Sequence, residues 1–169
     1  MVSRPIHLEL FCPDEADVVL IAEIDERNYE VIRAPRHRPQ DDIDGQMLDF
    51  VEGRLNGDQL HWVIRDSLSQ ACLGSLQATL ASGGVVSVGY RVISEHWGNG
   101  IATEALRLLL GQLASALPQR KIIANIASTN VASRRVLEKC GFTPVVALTG
   151  ASSVDNMRGE TFVWSSGTA

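Results

Sequence analysis

Residues Val86 to Leu117 read VSVGYRVISEHWGNGIATEALRLLLGQLASAL, a strand, a glycine-bearing turn and an amphipathic helix in direct succession. Val86, Val88, Tyr90 and Val92 alternate with Ser87, Gly89, Arg91 and Ile93, the period of a strand with two different faces. Gly89 interrupts it, and a glycine inside a strand marks a bulge or a place where a ligand or another backbone comes close. Farther on, Ile101, Ala102, Ala105, Leu106, Leu109, Leu110, Leu113 and Leu117 recur at helical spacing and predict one face packed on the sheet. Between strand and helix lies Trp97-Gly98-Asn99-Gly100-Ile101-Ala102. The first N–H groups of a helix have no partner within it and carry the positive end of its dipole, and small residues let an anion approach them. The hinge is therefore a candidate phosphate cradle, with a plain tight turn as the other reading.

Two phosphate-binding loops fail against it. A dinucleotide fingerprint needs a third glycine where Thr103 stands, and an acidic residue in the next strand, Lys121 to Ala127, which has none. The nucleoside-triphosphate loop needs a Gly-Lys-Ser/Thr ending, and no lysine lies near the hinge.

Working outward, His61 to Asp66 and Ala71 to Leu80 read as strands joined by a polar turn, and Ser82-Gly83-Gly84 turns into the central strand, a meander. Upstream, Ile6 to Phe11 predicts a first strand and Pro13 to Glu30 a helix. Arg33 to Gly45, holding Pro35 and Pro39, reads as a solvated connection or a lid, and Gln46 to Leu55 as a second helix. Downstream, Pro118 ends the long helix and Lys121 to Ala127 supplies a buried strand. A helix over Asn130 to Cys140, capped by Gly141, and closing strands over Thr143 to Thr149 and Glu160 to Ser165 complete the chain.

A length of 169 residues with 45% apolar and 21% charged residues suits one domain, 1–169, with a sizeable core. The net charge of −5 argues against a nucleic-acid partner and favours a cationic one. Cys12, Cys72 and Cys140 have no metal or redox spacing, and His37 and His96 are solitary, so we expect reduced thiols and no metal. The absence of a signal-like or membrane-length apolar run predicts a cytoplasmic protein without a membrane partner.

The hinge resembles the acyl-coenzyme A loop of the GNAT superfamily of N-acetyltransferases, Gln/Arg-x-x-Gly-x-Gly/Ala, laid here on Trp97-x-x-Gly100-x-Ala102 with Trp97 departing from the usual first residue. Gly89-Tyr90, Trp97-Gly98-x-Gly100 and Ala102-Thr103-Glu104-Ala105-Leu106 are more narrowly similar to the ribosomal-protein N-terminal acetyltransferase (RimJ/RimL) branch. So is Asn130-x-x-Ser133-x-Arg135-Val136-Leu137-Glu138-Lys139-x-Gly141-Phe142. The two blocks cover roughly residues 60 to 145. The resemblance implies an α+β fold, with a mixed, mostly antiparallel sheet splayed at the cofactor site and flanked by helices. It implies transfer of an acetyl group from acetyl-coenzyme A to a primary amine: a protein N-terminus, an amino acid or polyamine, or an antibiotic. A homodimer is the family habit.

The same resemblance assigns residues. Tyr90, Arg91 and Val92 would pair through their backbone with the pantetheine arm, and the pyrophosphate would sit on the amides of Gly98, Asn99, Gly100, Ile101, Ala102 and Thr103, with Trp97 offering its own amide. Asn130 would hold the pantetheine arm, and Ser133 would hydrogen-bond the sulfur and serve the departing thiolate. Asn is equally a helix cap and Ser a comfortable first-turn residue. Two departures matter: Ser87 stands where the branch often carries a Glu base, and Leu137 where many members carry a Tyr acid. Glu9, Glu30 and Asp66 remain as candidate bases, each also readable as an ordinary carboxylate. His61 and Trp62 are candidates for the acceptor pocket, Trp62 reading better as core. The missing Glu and Tyr keep open a non-catalytic acyl-coenzyme A binding module.

Overall fold

The computed structural model describes residues 4–10, 56–145 and 159–165. The helices expected over Pro13–Glu30 and Gln46–Leu55, the Arg33–Gly45 connection, Phe11 and the stretch 146–149 lie outside the described residues.

Seven strands form one sheet: β1 (Ile6–Leu10), β2 (Gln59–Asp66), β3 (Cys72–Ala81), β4 (Val85–Val92), β5 (Lys121–Ala127), β6 (Phe142–Pro144) and β7 (Gly159–Trp164). Their order is β1-β2-β3-β4-β5-β7-β6. Every neighbouring pair is antiparallel except β4 and β5, which run parallel. That exception follows from the connection, because a helix carries the chain back to the start of the next strand. It is α1 (Ile101–Ala116), and α2 (Val131–Lys139) follows β5. The fold is thus the mixed, mostly antiparallel sheet with helices that the resemblance implies.

Alternation decides which face is buried. Trp62, Ile64, Leu76, Ala78, Val86, Val88, Val92, Ile122, Ala124 and Phe162 meet the stripe Ile101, Ala105, Leu106, Leu109, Leu110 and Leu113 of α1 and Leu137 of α2 in one core. Burial of each such Leu stabilises the fold by about 1.5–3 kcal/mol relative to exposure. Leu117 departs from its expected place: it lies past the last turn of α1 and is 37% exposed, while Ala102 is half-buried. Trp62 is buried in the core, the reading the sequence favoured for it.

Gly89 makes no bulge, since it pairs with Gln77 in an unbroken β3–β4 register. The irregularity falls in β2, between Ile64 and Arg65. What happens beside Gly89 is separation: β5 matches β4 only over Val85–Lys121, Val86–Ile122 and Ser87–Ile123, and then the two strands part.

Candidate active site

Beside β4, beyond its last pairing with β5, lies a groove of about 340 Å³ walled by Tyr90 to Val92, the turn before α1, the first turn of α1, and α2 from its cap Asn130 to Lys139. The pleat settles what β4 presents there. Ile93 N–H donates to Leu73 O on the β3 side, so alternation turns the peptide groups of Tyr90 and Val92 the other way. Among the described residues no strand lies opposite Tyr90 on that side. At Val92 the carbonyl accepts the indole Nε1–H of Trp97 at 2.7 Å. That bond ties the end of β4 to the turn that follows it.

The turn is shaped by two glycines in left-handed conformation, Gly98 (φ 79°) and Gly100 (φ 78°), where a side chain would be strained although space is open. Gly100 is the N-cap of α1 and supplies no side chain to the first-turn amides of Ile101, Ala102 and Thr103. Glu104 N–H is the first to find its helical partner, Gly100 O. The result is a set of backbone donors at a helix N-terminus, the chemistry that receives an anion.

Of the residues singled out in the sequence, Tyr90, Arg91, Val92, Trp97, Gly98 and Gly100 line the groove. So do Ile101, Ala102, Thr103, Asn130 and Ser133. Asn99 does not: its carboxamide turns back on the loop, donating to His96 O and Trp97 O. The Trp97 amide is also committed, donating to Ser94 O at 3.1 Å, so Trp97 serves the turn through its indole rather than by offering an N–H to a ligand. The groove brings in residues that the sequence reading passed over, among them His96, Arg135, Val136 and Lys139. Arg135 and Lys139 lie four apart on α2, a spacing that places two cations along one edge.

Asn130 caps α2, its Oδ1 accepting from Ser133 N–H at 2.9 Å, so the helix-cap reading holds for its oxygen. Ser133 meets a partner that spacing could not reveal. The Tyr90 hydroxyl lies 2.7 Å from Ser133 Oγ and donates to Ser133 O at 3.1 Å. Burial pushes the Tyr90 phenol up to about 12, against a smaller lowering by its bond to Ser133. Leu137 is fully buried in the core. Beneath the turn, the buried Cys140 thiol donates to Thr103 O at 3.5 Å, tying the end of α2 to the first turn of α1, and Trp164 Nε1 donates to Cys140 O at 3.0 Å, tying β7 to the end of α2. The Cys140 thiol is pushed up, mainly by burial.

The candidate bases behave as structural carboxylates where they are described. Asp66 accepts the amides of Leu68 and Ser69, each at 2.8 Å, pairs with Arg4, and is held far below the usual carboxylate range, first by the Ser69 amide and then by Arg4. Glu9 pairs with Arg65 across β1 and β2 at 2.6 Å. Glu30 lies outside the described residues. His61 is pushed down to about 4 by burial and is neutral at physiological pH.

Comparison with known proteins agrees with this architecture. The probable N-acetyltransferase YjcK of Bacillus subtilis (strain 168) is 38% identical over 76 residues, 45% of this chain and 38% of that protein. The chain spans only 31% and 38% of the two curated relatives it matches. Among solved structures, the spermidine N-acetyltransferase of Vibrio cholerae in complex with CoA and spermine superposes with a TM-score of 0.73 at 15% identity, covering 94% of this chain and 92% of that one. The ribosomal L7/L12 alpha-N-protein acetyltransferase RimL in complex with coenzyme A superposes with a TM-score of 0.74 at 16% identity, covering 96% and 94%. At such identities the likeness speaks for the fold. The sequence profile of the acetyltransferase (GNAT) domain matches residues 6–143, well over half of the chain, and the chain belongs to that family.

Proposed function

We propose that this chain binds acetyl-coenzyme A in the groove walled by β4, the turn before α1 and α2, and transfers the acetyl group to a primary amine by direct attack. The observation that carries the reading is the open side of β4 ending at an uncapped helix N-terminus. A pantetheine arm matches a strand edge that has no described strand opposite it, and a pyrophosphate matches the amides of Gly98 and of Gly100 to Thr103. Arg135 and Lys139 suit a polyanionic ligand at the same edge. Asn130 would steady the arm as well as cap α2, and Ser133 would hydrogen-bond the sulfur.

The thioester is already activated, so the site's main work is to hold two substrates in line. The acceptors named for solved relatives, spermidine and a ribosomal-protein N-terminus, make a small polyamine or a protein α-amine the first classes to try. A soluble cytoplasmic enzyme of the RimJ/RimL type, working alone or as a homodimer, is the setting we favour.

Thiol release from acetyl-coenzyme A with pooled primary amines, followed by mass spectrometry of the products, tests this. Amine-dependent release with an acetylated product supports it; tight coenzyme A binding without release for any amine supports the non-catalytic module instead. A thiolate leaves far more readily than an amine, so Ser133→Ala should lower kcat by about 10- to 100-fold, and a loss beyond about 1000-fold would mean that Ser133 has another task.

A further inference from the structure

The Tyr90–Ser133 pair can share its protons in two ways. A phenol has one proton, and Ser133 offers it two acceptors, its carbonyl oxygen at 3.1 Å and its Oγ at 2.7 Å. When the phenol donates to the carbonyl, the Ser133 O–H donates to the phenol oxygen and is spent. When it donates to Oγ instead, the Ser133 proton is released towards a third group. Both residues line the groove, Tyr90 from β4 and Ser133 from α2.

We propose that Tyr90 is a positioning residue that turns the Ser133 O–H into the groove, forming a two-membered donor chain, Tyr90 to Ser133 to the sulfur of bound coenzyme A. The proposal rests on the coenzyme A-binding part of the proposed function and deepens it. The phenol, pushed up by burial to about 12, keeps its proton through neutral and mildly alkaline pH and stays a donor. Leu137 has no hydroxyl to offer, so the support for Ser133 comes from the strand side. As the amine nitrogen bonds to the acyl carbon, the C–S bond breaks and its electron pair goes to sulfur. Ser133 then donates a hydrogen bond to that sulfur while Tyr90 donates one to Ser133 Oγ. Neither residue loses its proton in the balance, because the proton that ends on the thiol is matched by the one the amine gives up.

The test uses coenzyme A bound to the wild type, Tyr90→Phe, Ser133→Ala and the double variant. The ionisation of the bound thiol is followed by the ultraviolet absorbance of its thiolate, beside Kd and thermal unfolding of each protein. The chain predicts that Ser133→Ala raises the bound thiol pKa by about one unit and Tyr90→Phe by about half a unit. It also predicts that Tyr90→Phe adds nothing in the Ser133→Ala background. Equal shifts in both backgrounds, or a change in Kd or Tm with no thiol shift, would overturn it and leave the bond as a strand-to-helix tie. If coenzyme A binds with these shifts but no amine is acetylated, the acetyl-transfer reading fails and the chain stands. A wild type that does not bind coenzyme A overturns both.

Discussion

Trp97 places an aromatic ring where the resembling loops carry Gln or Arg, and its indole holds Val92 O at 2.7 Å. Trp97→Phe keeps most of the ring and removes that one bond, which should cost about 0.5–1.5 kcal/mol and lower Tm by about 1–6 °C. Thermal unfolding checks this, and no change at all would mean the bond does not hold the strand end. His61 gives a prediction in pH. Its folded-state value near 4 lies below its ordinary 6.5, so between those values the unfolded chain binds more protons and stability rises with pH. Tm should therefore fall on acidification through that window, and His61→Gln should flatten the fall; an unchanged slope would contradict the burial effect. None of these side-chain partnerships was legible in the sequence. Spacing places a residue on a face, but which atom a rotamer reaches depends on neighbours from distant segments, as the Trp97 amide, Asn99 and the Tyr90 phenol each illustrate.

At the scale of elements the sequence said much more, because periodicity reports directly on which face is buried. The stripe of α1, the strand over Lys121–Ala127 and the capped helix after Asn130 all stand where their patterns put them. Leu117 departs from its pattern because spacing cannot show that the helix has already ended at Ala116. A less obvious element is the crossing of β3 and β4 at Gly74, where a Cβ would meet Arg91 O at 2.1 Å and Val92 Cα at 2.8 Å. Both contacts are backbone, so neither can swing aside. Gly74→Ala should destabilise by about 1–3 kcal/mol or more, and because it pushes on the Arg91–Val92 end of β4 it should also weaken coenzyme A binding. Denaturant unfolding with a parallel binding isotherm measures both; a variant as stable as the wild type would show that the two strands approach less closely.

Across the whole molecule, the sheet formed by the described residues is antiparallel except at the β4–β5 junction, and beyond that junction the two strands part. A parallel pair reached through a helix needs no tight turn to hold its far ends together, so β4 and β5 can diverge after Ser87 while α1 and α2 brace the gap. The splay was implied by the resemblance, not by any spacing, and Gly89, readable from the sequence as a bulge, pairs straight through with Gln77. The central claim is that the opening is a coenzyme A site. Thermal unfolding with acetyl-coenzyme A, coenzyme A and NAD in parallel tests it most directly. A ligand at about 100 times its Kd adds roughly 2.7 kcal/mol, so both coenzyme A forms should raise Tm by about 5–10 °C and NAD should not. No shift with millimolar coenzyme A would contradict the account and leave Gly98 to Ala102 as a turn.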